Sequence, residues 1–333
     1  MANFDSSQAS GRPRPIVPGR GQDGRLIPGL MAKLDVIKTG RSSIEAEAAR
    51  VKKDLVPERL IGEILGEKVS LSPEDVERIL AHAKDKGVRF GAAAIALKLA
   101  TPDQVLQALA EQFGYPYASE DERKLMPELV GLNQPFSLQS EAIREIRRQL
   151  MMRVFVEGQE RCALAVVSPA SGDGKTFFSA NLAVALAQIG GRTLLVDADL
   201  RGPRLHEVFN LQNDSGLSSL LAGHVDTQVI QQVPGMPSLY VMPVGITPPN
   251  PLELIERPAF AVLIRELTAK FDHVIVDTPA AVYGADALAI AARCGAVLVV
   301  ARKNESRVGA LQQLVASLSQ SRARMAGVIM NEH

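Results

Sequence analysis

The chain has 333 residues, of which 46% are hydrophobic, and its 37 Lys and Arg residues balance its 37 Asp and Glu residues. This length predicts two domains with enough apolar residues for a sizeable core. The chain has zero net charge and only 4% aromatic residues, with no Trp. These values argue against nucleic acid as a partner, because nucleic-acid surfaces need basic patches and stacking rings.

No apolar run approaches the roughly 18 to 20 residues that span a bilayer, and the first residues are polar rather than a signal peptide. We therefore expect a cytoplasmic protein that reaches a membrane only through a partner. Cys162 and Cys294 are the two cysteines. They are too few for a disulfide framework, so we expect both to be core thiols.

Residues 1–55 are predicted to be a disordered tail. Their first 30 positions are rich in Gly, Pro, Ser and Arg and show no apolar periodicity. Such a segment cannot offset its ordering entropy by burying apolar surface.

Residues 56–118 are predicted to form a small helical domain built from an internal repeat. Ser72-Pro73 and Thr101-Pro102 stand 29 positions apart, and each pair precedes an acidic residue and an apolar run. Ser or Thr as the N-cap, with Pro at the first helical position, is typical of helix starts. Each half predicts a helical hairpin, and two hairpins would bury their apolar faces against each other.

This repeat resembles the N-terminal domain of type II secretion and pilus ATPases. The second copy carries the family's repeat start as Arg89-Phe90-Gly91 and its repeat end as Leu109-Ala110-Glu111-Gln112. Some members bind cyclic di-GMP, so the resemblance implies either a cyclic di-GMP site or a protein-docking module. Phe90, Lys98 and the extra Ile61 depart from the binding pattern.

Residues 119–135 are predicted to be a linker to a second domain, residues 136–333. That domain begins with a charged helix around residues 140–148, in which Glu141, Arg144 and Arg147 stand three apart. Residues at this spacing share one helix face. The spacing alone is also that of an ordinary solvated surface helix.

A phosphate-binding loop is predicted at residues 168–176, which read SPASGDGKT. The loop joins an apolar run to a helix-like run, the context that such a loop requires. Glycines let backbone N–H groups converge on phosphate oxygens, Lys175 supplies a positive charge, and Thr176 offers a hydroxyl to Mg²⁺. We expect ATP and Mg²⁺ as cofactors. The predicted contacts are Ser171, Gly172, Asp173, Gly174, Lys175, Thr176 and Phe177.

Three carboxylates follow two predicted strands. Asp197 and Asp199 end the run 194–199, and Asp277 ends the run 273–277. Positions two apart on an extended strand face the same side. Because ligands of parallel sheets bind at the carboxyl ends of the strands, these three carboxylates should converge on the metal and triphosphate beside Lys175.

The second domain is predicted to be an α/β fold, with a mostly parallel sheet and helices on both faces. Apolar runs bounded by turn residues indicate its strands. The predicted strands are 163–167, 193–196, 239–242, 274–276, 296–301 and 326–330.

These motifs together resemble the bacterial tyrosine kinases of polysaccharide biosynthesis, over roughly residues 135–333. The resemblance implies a P-loop kinase in which Lys175, Asp197, Asp199 and Asp277 are catalytic, and Thr176, Asp197 and Asp277 hold the metal. It makes Asp197 the candidate base for an incoming tyrosine hydroxyl.

The same resemblance implies that Glu141, Arg144 and Arg147 mediate self-association, and that Asn331 lies near the adenine. Asn331 could equally be an ordinary strand-end residue. A membrane-embedded chain-length determinant is the implied partner, at the cytoplasmic face of the inner membrane.

Two alternatives stay open. The positioning ATPases of the ParA and MinD type share the acidic motifs, but they carry a lysine where this chain has Ala170, which favours the kinase branch. Family kinases commonly end in a tyrosine cluster, whereas the four tyrosines here are Tyr115, Tyr117, Tyr240 and Tyr283. The chain could therefore be a kinase for a tyrosine on another chain, or an ATP-dependent assembly regulator that does not transfer phosphate.

Overall fold

The computed structural model describes residues 60–112, 124–135, 137–156, 158–223 and 228–332. The predicted disordered tail lies outside the described residues, as do Tyr115 and Tyr117.

Within residues 60–112 the chain forms four helices, as the repeat predicts. They are α1 (Ile61–Val69), α2 (Pro73–Lys86), α3 (Phe90–Ala96) and α4 (Pro102–Gln112).

The two repeated helix starts have the predicted capping geometry. The Ser72 hydroxyl accepts the N–H of Asp75 at 3.1 Å, and the Asp75 carboxylate accepts the N–H of Ser72 at 3.3 Å. Thr101 and Gln104 exchange the equivalent pair of hydrogen bonds at 3.2 and 2.8 Å. Such reciprocal bonds satisfy backbone donors that have no partner inside the helix.

The four helices share one apolar core. Its largest buried members are Ile64, Leu65 and Ile79, and Ala93, Ala94 and Ala108 pack with them. The prediction that the two hairpins bury their apolar faces against each other is confirmed.

The linker predicted over residues 119–135 is wrong for its described part, 124–135. This segment forms the short helix α5 (Val130–Asn133) and buries Met126, Leu129 and Leu132 in the core of the α/β region. The amide of Asn181, on a neighbouring helix, donates to the carbonyl of Glu128 at 3.0 Å. Three large apolar side chains among polar residues were too weak a pattern to predict this docking.

The remaining described residues form a seven-stranded sheet in the order β3-β4-β2-β5-β1-β6-β7. All neighbouring strands are parallel except the β3–β4 pair. The strands are β1 (Ala163–Val167), β2 (Thr193–Asp197), β3 (Gln231–Gln232), β4 (Leu239–Met242), β5 (His273–Asp277), β6 (Gly295–Arg302) and β7 (Arg324–Asn331).

Six of these strands match predicted ones to within a residue or two at each end. The antiparallel edge strand β3 was not predicted, because two glutamines carry no apolar pattern.

Helices cover both faces of the sheet, as predicted. They are α6 (Leu138–Arg153), α7 (Lys175–Ala187), α8 (Leu205–Val208), α9 (Leu217–Ala222), α10 (Pro251–Glu256), α11 (Pro258–Lys270), α12 (Asp286–Cys294) and α13 (Val308–Ser319). No helix in the described ranges combines the length and the apolar character needed to cross a bilayer.

The strands divide their side chains between two cores. In β1, Ala163, Ala165 and Val167 face one core, whereas Leu164 and Val166 face the other. All five residues are fully buried, because a strand covered on both faces is apolar at every position. This central strand leads directly into the predicted phosphate-binding loop.

Candidate active site

The loop between β1 and α7 turns sharply at two glycines. Gly172 and Gly174 have φ angles of +83° and +94°, which side-chain-bearing residues rarely adopt. A Cβ on Gly174 would lie 2.2 Å from the amide nitrogen of Asn331. The loop conformation therefore requires glycine at position 174 on two grounds.

The start of α7 offers donors to an anion. Within the described part of the chain, the backbone N–H groups of Gly174, Lys175 and Thr176 donate to no acceptor, because the first turn of a helix has no intrahelical partners. Lys175 is 7% exposed, and none of its contacts with described residues is a salt bridge. Unpaired amides and a buried ammonium group at a helix N-terminus form a site for phosphate.

Asp277 joins the end of β5 to the start of α7. The Thr176 hydroxyl donates to one carboxylate oxygen at 2.6 Å, and the Ser179 hydroxyl donates to the other at 3.1 Å. Burial raises the pKa of Asp277 to about 6, although the positive charge of Lys175 acts in the opposite direction. The structure therefore brings Lys175, Thr176 and Asp277 together. Ser179 is a partner that the sequence analysis missed.

Asp197 is the neighbour of Asp277 on the adjacent strand, and its side chain is fully buried. Its carboxylate accepts backbone N–H groups from Asp199, Arg204 and Leu205 at 3.0 to 3.1 Å. Burial, followed by the negative charge of Asp277, raises its pKa well above the ordinary value. Asp197 thus holds the loop that follows β2.

Asp199 does not continue the strand. Strand β2 ends at Asp197, and the Asp199 carboxylate accepts the N–H groups of Arg201 and Gly202 at 3.2 and 2.9 Å. Asp199 thus lies just beyond the strand, and its negative charge adds to burial in raising the pKa values of both Asp197 and Asp277, so the three carboxylates lie close together as predicted. Short carboxylate side chains bond to backbone N–H groups two or three residues further on and so favour a turn here. Asp199 is more exposed than Asp197.

Asp173 braces the loop from inside. Its carboxylate accepts the N–H of Ala170 at 2.7 Å and the hydroxyl of Ser306 at 2.7 Å. The Asn331 amide donates to the Asp173 carbonyl at 3.1 Å. Asp173 and Asn331, both predicted as nucleotide contacts, are thus placed at the loop with side chains that hold its shape. Ser306 lacks a local sequence signal, because it stands 133 positions from Asp173.

Beside the loop lies a cavity of about 280 Å³ with a largely apolar lining. Phe177 and Asn331 contribute to it from the predicted site. Its apolar lining includes Leu138, Ile143, Val300 and Met330. Ser171 and Gly172 are exposed at the outer side of the loop.

The three residues predicted for self-association have different environments. Glu141 and Arg144 form an exposed ion pair within α6, with the Arg144 Nε 3.0 Å from the Glu141 carboxylate. Arg147 instead donates to the carbonyl of Ala185 at 2.7 Å, near the C-terminus of α7, where a cation is favourable.

The donor set suits Mg²⁺ better than a transition metal. In the described ranges, no group of three or more His, Cys, Asp or Glu residues is arranged to hold a metal ion by itself. A hydroxyl and carboxylates at the strand ends are the hard oxygen ligands that Mg²⁺ takes together with nucleotide phosphates. Thr176, Asp277 and Asp197 therefore fit the predicted metal.

Residues 164–333 match the nucleotide-binding domain model of the CobQ/CobB/MinD/ParA family. The putative tyrosine-protein kinase CapB of Staphylococcus aureus is 33% identical over 204 residues, which cover 60% of this chain and 87% of CapB. The putative tyrosine-protein kinase EpsB of Ralstonia solanacearum is 35% identical over 191 residues, or 57% of this chain. The chain matches only about a quarter, 25%, of the length of EpsB.

Solved structures also resemble this chain, and two of them serve as examples. The chimerical protein CapA2B2 has a TM-score of 0.58 and 33% identity, covering 68% of this chain and 98% of the chimera. The kinase domain of the Escherichia coli tyrosine kinase ETK has a TM-score of 0.58 and 32% identity, covering 61% of this chain and 79% of that domain. The chain therefore belongs to the CobQ/CobB/MinD/ParA nucleotide-binding family and, within it, to the bacterial tyrosine kinases related to CapB.

Proposed function

We propose that this chain is an ATP- and Mg²⁺-dependent protein tyrosine kinase that regulates chain length or export in exopolysaccharide biosynthesis. The observation that carries the proposal is the start of α7, where unpaired backbone N–H groups, the buried Lys175 and the Thr176–Asp277 hydrogen bond meet. Its likeness to tyrosine kinases such as CapB supports the reaction type.

Catalysis of phosphoryl transfer depends mainly on positioning the reactants and neutralising the negative charge of the phosphates. In the proposal, the loop amides and Lys175 bind the phosphates, and Thr176, Asp277 and Asp197 hold Mg²⁺. The metal supplies positive charge against the phosphate oxygens. The apolar cavity beside Phe177 and Asn331 would take the adenine ring.

The geometry favours Asp199 over Asp197 as the base for the incoming hydroxyl. Asp197 is fully buried and already accepts three backbone N–H groups. Asp199 is half-buried and accepts two. A base must reach the proton that it abstracts, so the more accessible carboxylate suits the role better.

The proposed partner is a membrane chain-length determinant, which would hold the chain at the cytoplasmic face of the inner membrane. The likeness to the CapA2B2 chimera, whose name joins a CapA part to a CapB part, supports this partner. Self-association through Glu141, Arg144 and Arg147 belongs to the same proposal. Binding of cyclic di-GMP at residues 56–118 stays a prediction.

Transfer of labelled phosphate from ATP to a synthetic tyrosine peptide tests the proposal. Lys175→Met should lower the rate by roughly a hundredfold or more, because it removes a charge aimed at the phosphates. Lys86→Met, at the exposed end of α2, is the matched control and should leave the rate unchanged.

Release of free phosphate without phosphotyrosine would favour the assembly regulator or the positioning ATPase instead. Full transfer by Lys175→Met would contradict the assigned site.

A further inference from the structure

Tyr283 lies on a turn that is bonded to the phosphate-binding loop. The chain leaves β5 at Asp277 and forms a short 3₁₀ turn at Ala281–Tyr283. The N–H of Ala281 donates to the carbonyl of Ser168 at 2.9 Å, and the N–H of Val282 donates to that of Pro169 at 3.2 Å. These two bonds fix the turn against the first residues of the loop.

The Tyr283 side chain is available to a second reactant. It is 53% exposed, and the adjoining Val282 is 67% exposed. Within the described part of the chain, its ring makes no stacking contact and its hydroxyl makes no hydrogen bond. A half-exposed aromatic residue with no stacking partner or hydroxyl bond among the described residues, beside a catalytic loop, gains little stability from its ring.

Tyr240 has the opposite setting. It lies in strand β4, and its ring packs edge-on against Phe271 with 5.4 Å between centroids. The Arg192 guanidinium lies 5.9 Å from the same ring. Tyr240 therefore serves packing, and Tyr283 is the more exposed of the two described tyrosines.

We propose that Tyr283 is a phosphoacceptor of this kinase. The inference rests on the proposed tyrosine kinase function and names a substrate residue for it.

In the reaction, the phenolic oxygen of Tyr283 forms a bond to the γ-phosphorus of ATP. The bond from that phosphorus to the bridging oxygen breaks, and ADP leaves. The phenolic proton passes to Asp199 or to water. The product carries a charge of about −1.5 to −2 on the turn beside the loop.

Peptide mapping of the full chain after incubation with Mg²⁺ and ATP tests this proposal. Cleavage after Lys270 and Arg293 releases residues 271–293, in which Tyr283 is the single tyrosine. Tyr240 falls in the tryptic peptide 205–265, and Tyr115 and Tyr117 fall together in 99–123. The three peptides therefore separate the candidate acceptors.

We expect phosphate on peptide 271–293 of the natural chain, loss of that label in Tyr283→Phe, and retention of it in Tyr240→Phe. Lys175→Met should lose the label, which excludes a contaminating kinase. In parallel, each variant phosphorylates an added tyrosine peptide, and Tyr283→Phe should keep that activity, because it removes one oxygen from an exposed side chain.

Phosphorylation of the added peptide with no phosphate on 271–293 overturns the assignment of Tyr283 and leaves the proposed function standing. Absence of phosphotransfer to both the chain and the peptide overturns the function and this inference together.

Discussion

The two ends of the central sheet use buried polar groups differently. At the carboxyl end, Asp173, Asp197 and Asp277 are buried and accept hydrogen bonds from loops and from α7. At the amino end, the buried His273 meets the hydroxyl of Thr193, 3.3 Å from its Nδ1, and packs edge-on against Phe155.

The carboxyl end thus concentrates carboxyl groups in the core, whereas the amino end has an imidazole ring there. Burial raises the pKa of Asp277 to about 6 and lowers that of His273 to about 4, since burial disfavours the charged form of either group. A cluster of buried carboxyl groups with raised pKa values marks the carboxyl end of the sheet as the end where ligand chemistry is expected.

The largest expected effect on stability is at the carboxyl end. Gly174→Ala should lower the unfolding free energy by about 3 kcal/mol, because a left-handed residue other than glycine is strained and the new methyl group displaces the Asn331 amide. Gly172→Ala is the matched control, since its φ is similar but a Cβ there meets nothing within 4 Å. Urea unfolding measures both, and equal losses would contradict the tight packing of Asn331 on Gly174.

The next largest effect on stability comes from His273 at the amino end of the sheet, and it depends on pH. The folded-state pKa of His273 is about 4, below the ordinary 6.5, so the unfolded chain binds more protons between these values. Stability should therefore fall as the pH drops, with about 2 kcal/mol lost from His273 between pH 7.5 and 5.

Unfolding of the natural chain and of His273→Gln at both pH values isolates this contribution. Asp277 has the opposite slope, because its raised pKa makes the folded state gain stability as the pH falls from about 6. An identical pH dependence in the two proteins would contradict the buried neutral imidazole.

The smallest effect concerns the brace of the phosphate-binding loop. Ser306→Ala removes the hydroxyl that donates to Asp173, and should cost about 1.5 kcal/mol, typical of a hydrogen bond to a charged group. Ser319→Ala is the control, since that exposed hydroxyl bonds only to a carbonyl of its own helix and should cost less than about 0.5 kcal/mol. Equal melting temperatures of the two variants would show that Ser306 does not brace the loop.

The fold was largely predictable because its signals are local. Buried parallel strands such as β1 are continuous apolar runs, and the caps at Ser72 and Thr101 lie within three residues of their partners. The glycines of the loop also indicated its turn, since their positive φ angles follow from their residue type.

The arrangement inside the site was less predictable because its contacts span the chain. Thr176 and Asp277 stand 101 positions apart. Arg147, on α6, donates to the carbonyl of Ala185 on α7. Their pairing depends on how helices pack on the sheet, which residue spacing does not encode. The hydrogen bonds of Asp199 to Arg201 and Gly202 were not predictable either, because they depend on the turn that follows β2.

A crystal structure of the full chain with Mg²⁺ and a non-hydrolysable ATP analogue tests the central claim most directly. We predict phosphate density at the N–H groups of residues 174–176, and a metal ion at about 2.0 to 2.1 Å from the Thr176 hydroxyl. Nucleotide bound elsewhere, or phosphates without a metal near Thr176 and Asp277, would contradict the account.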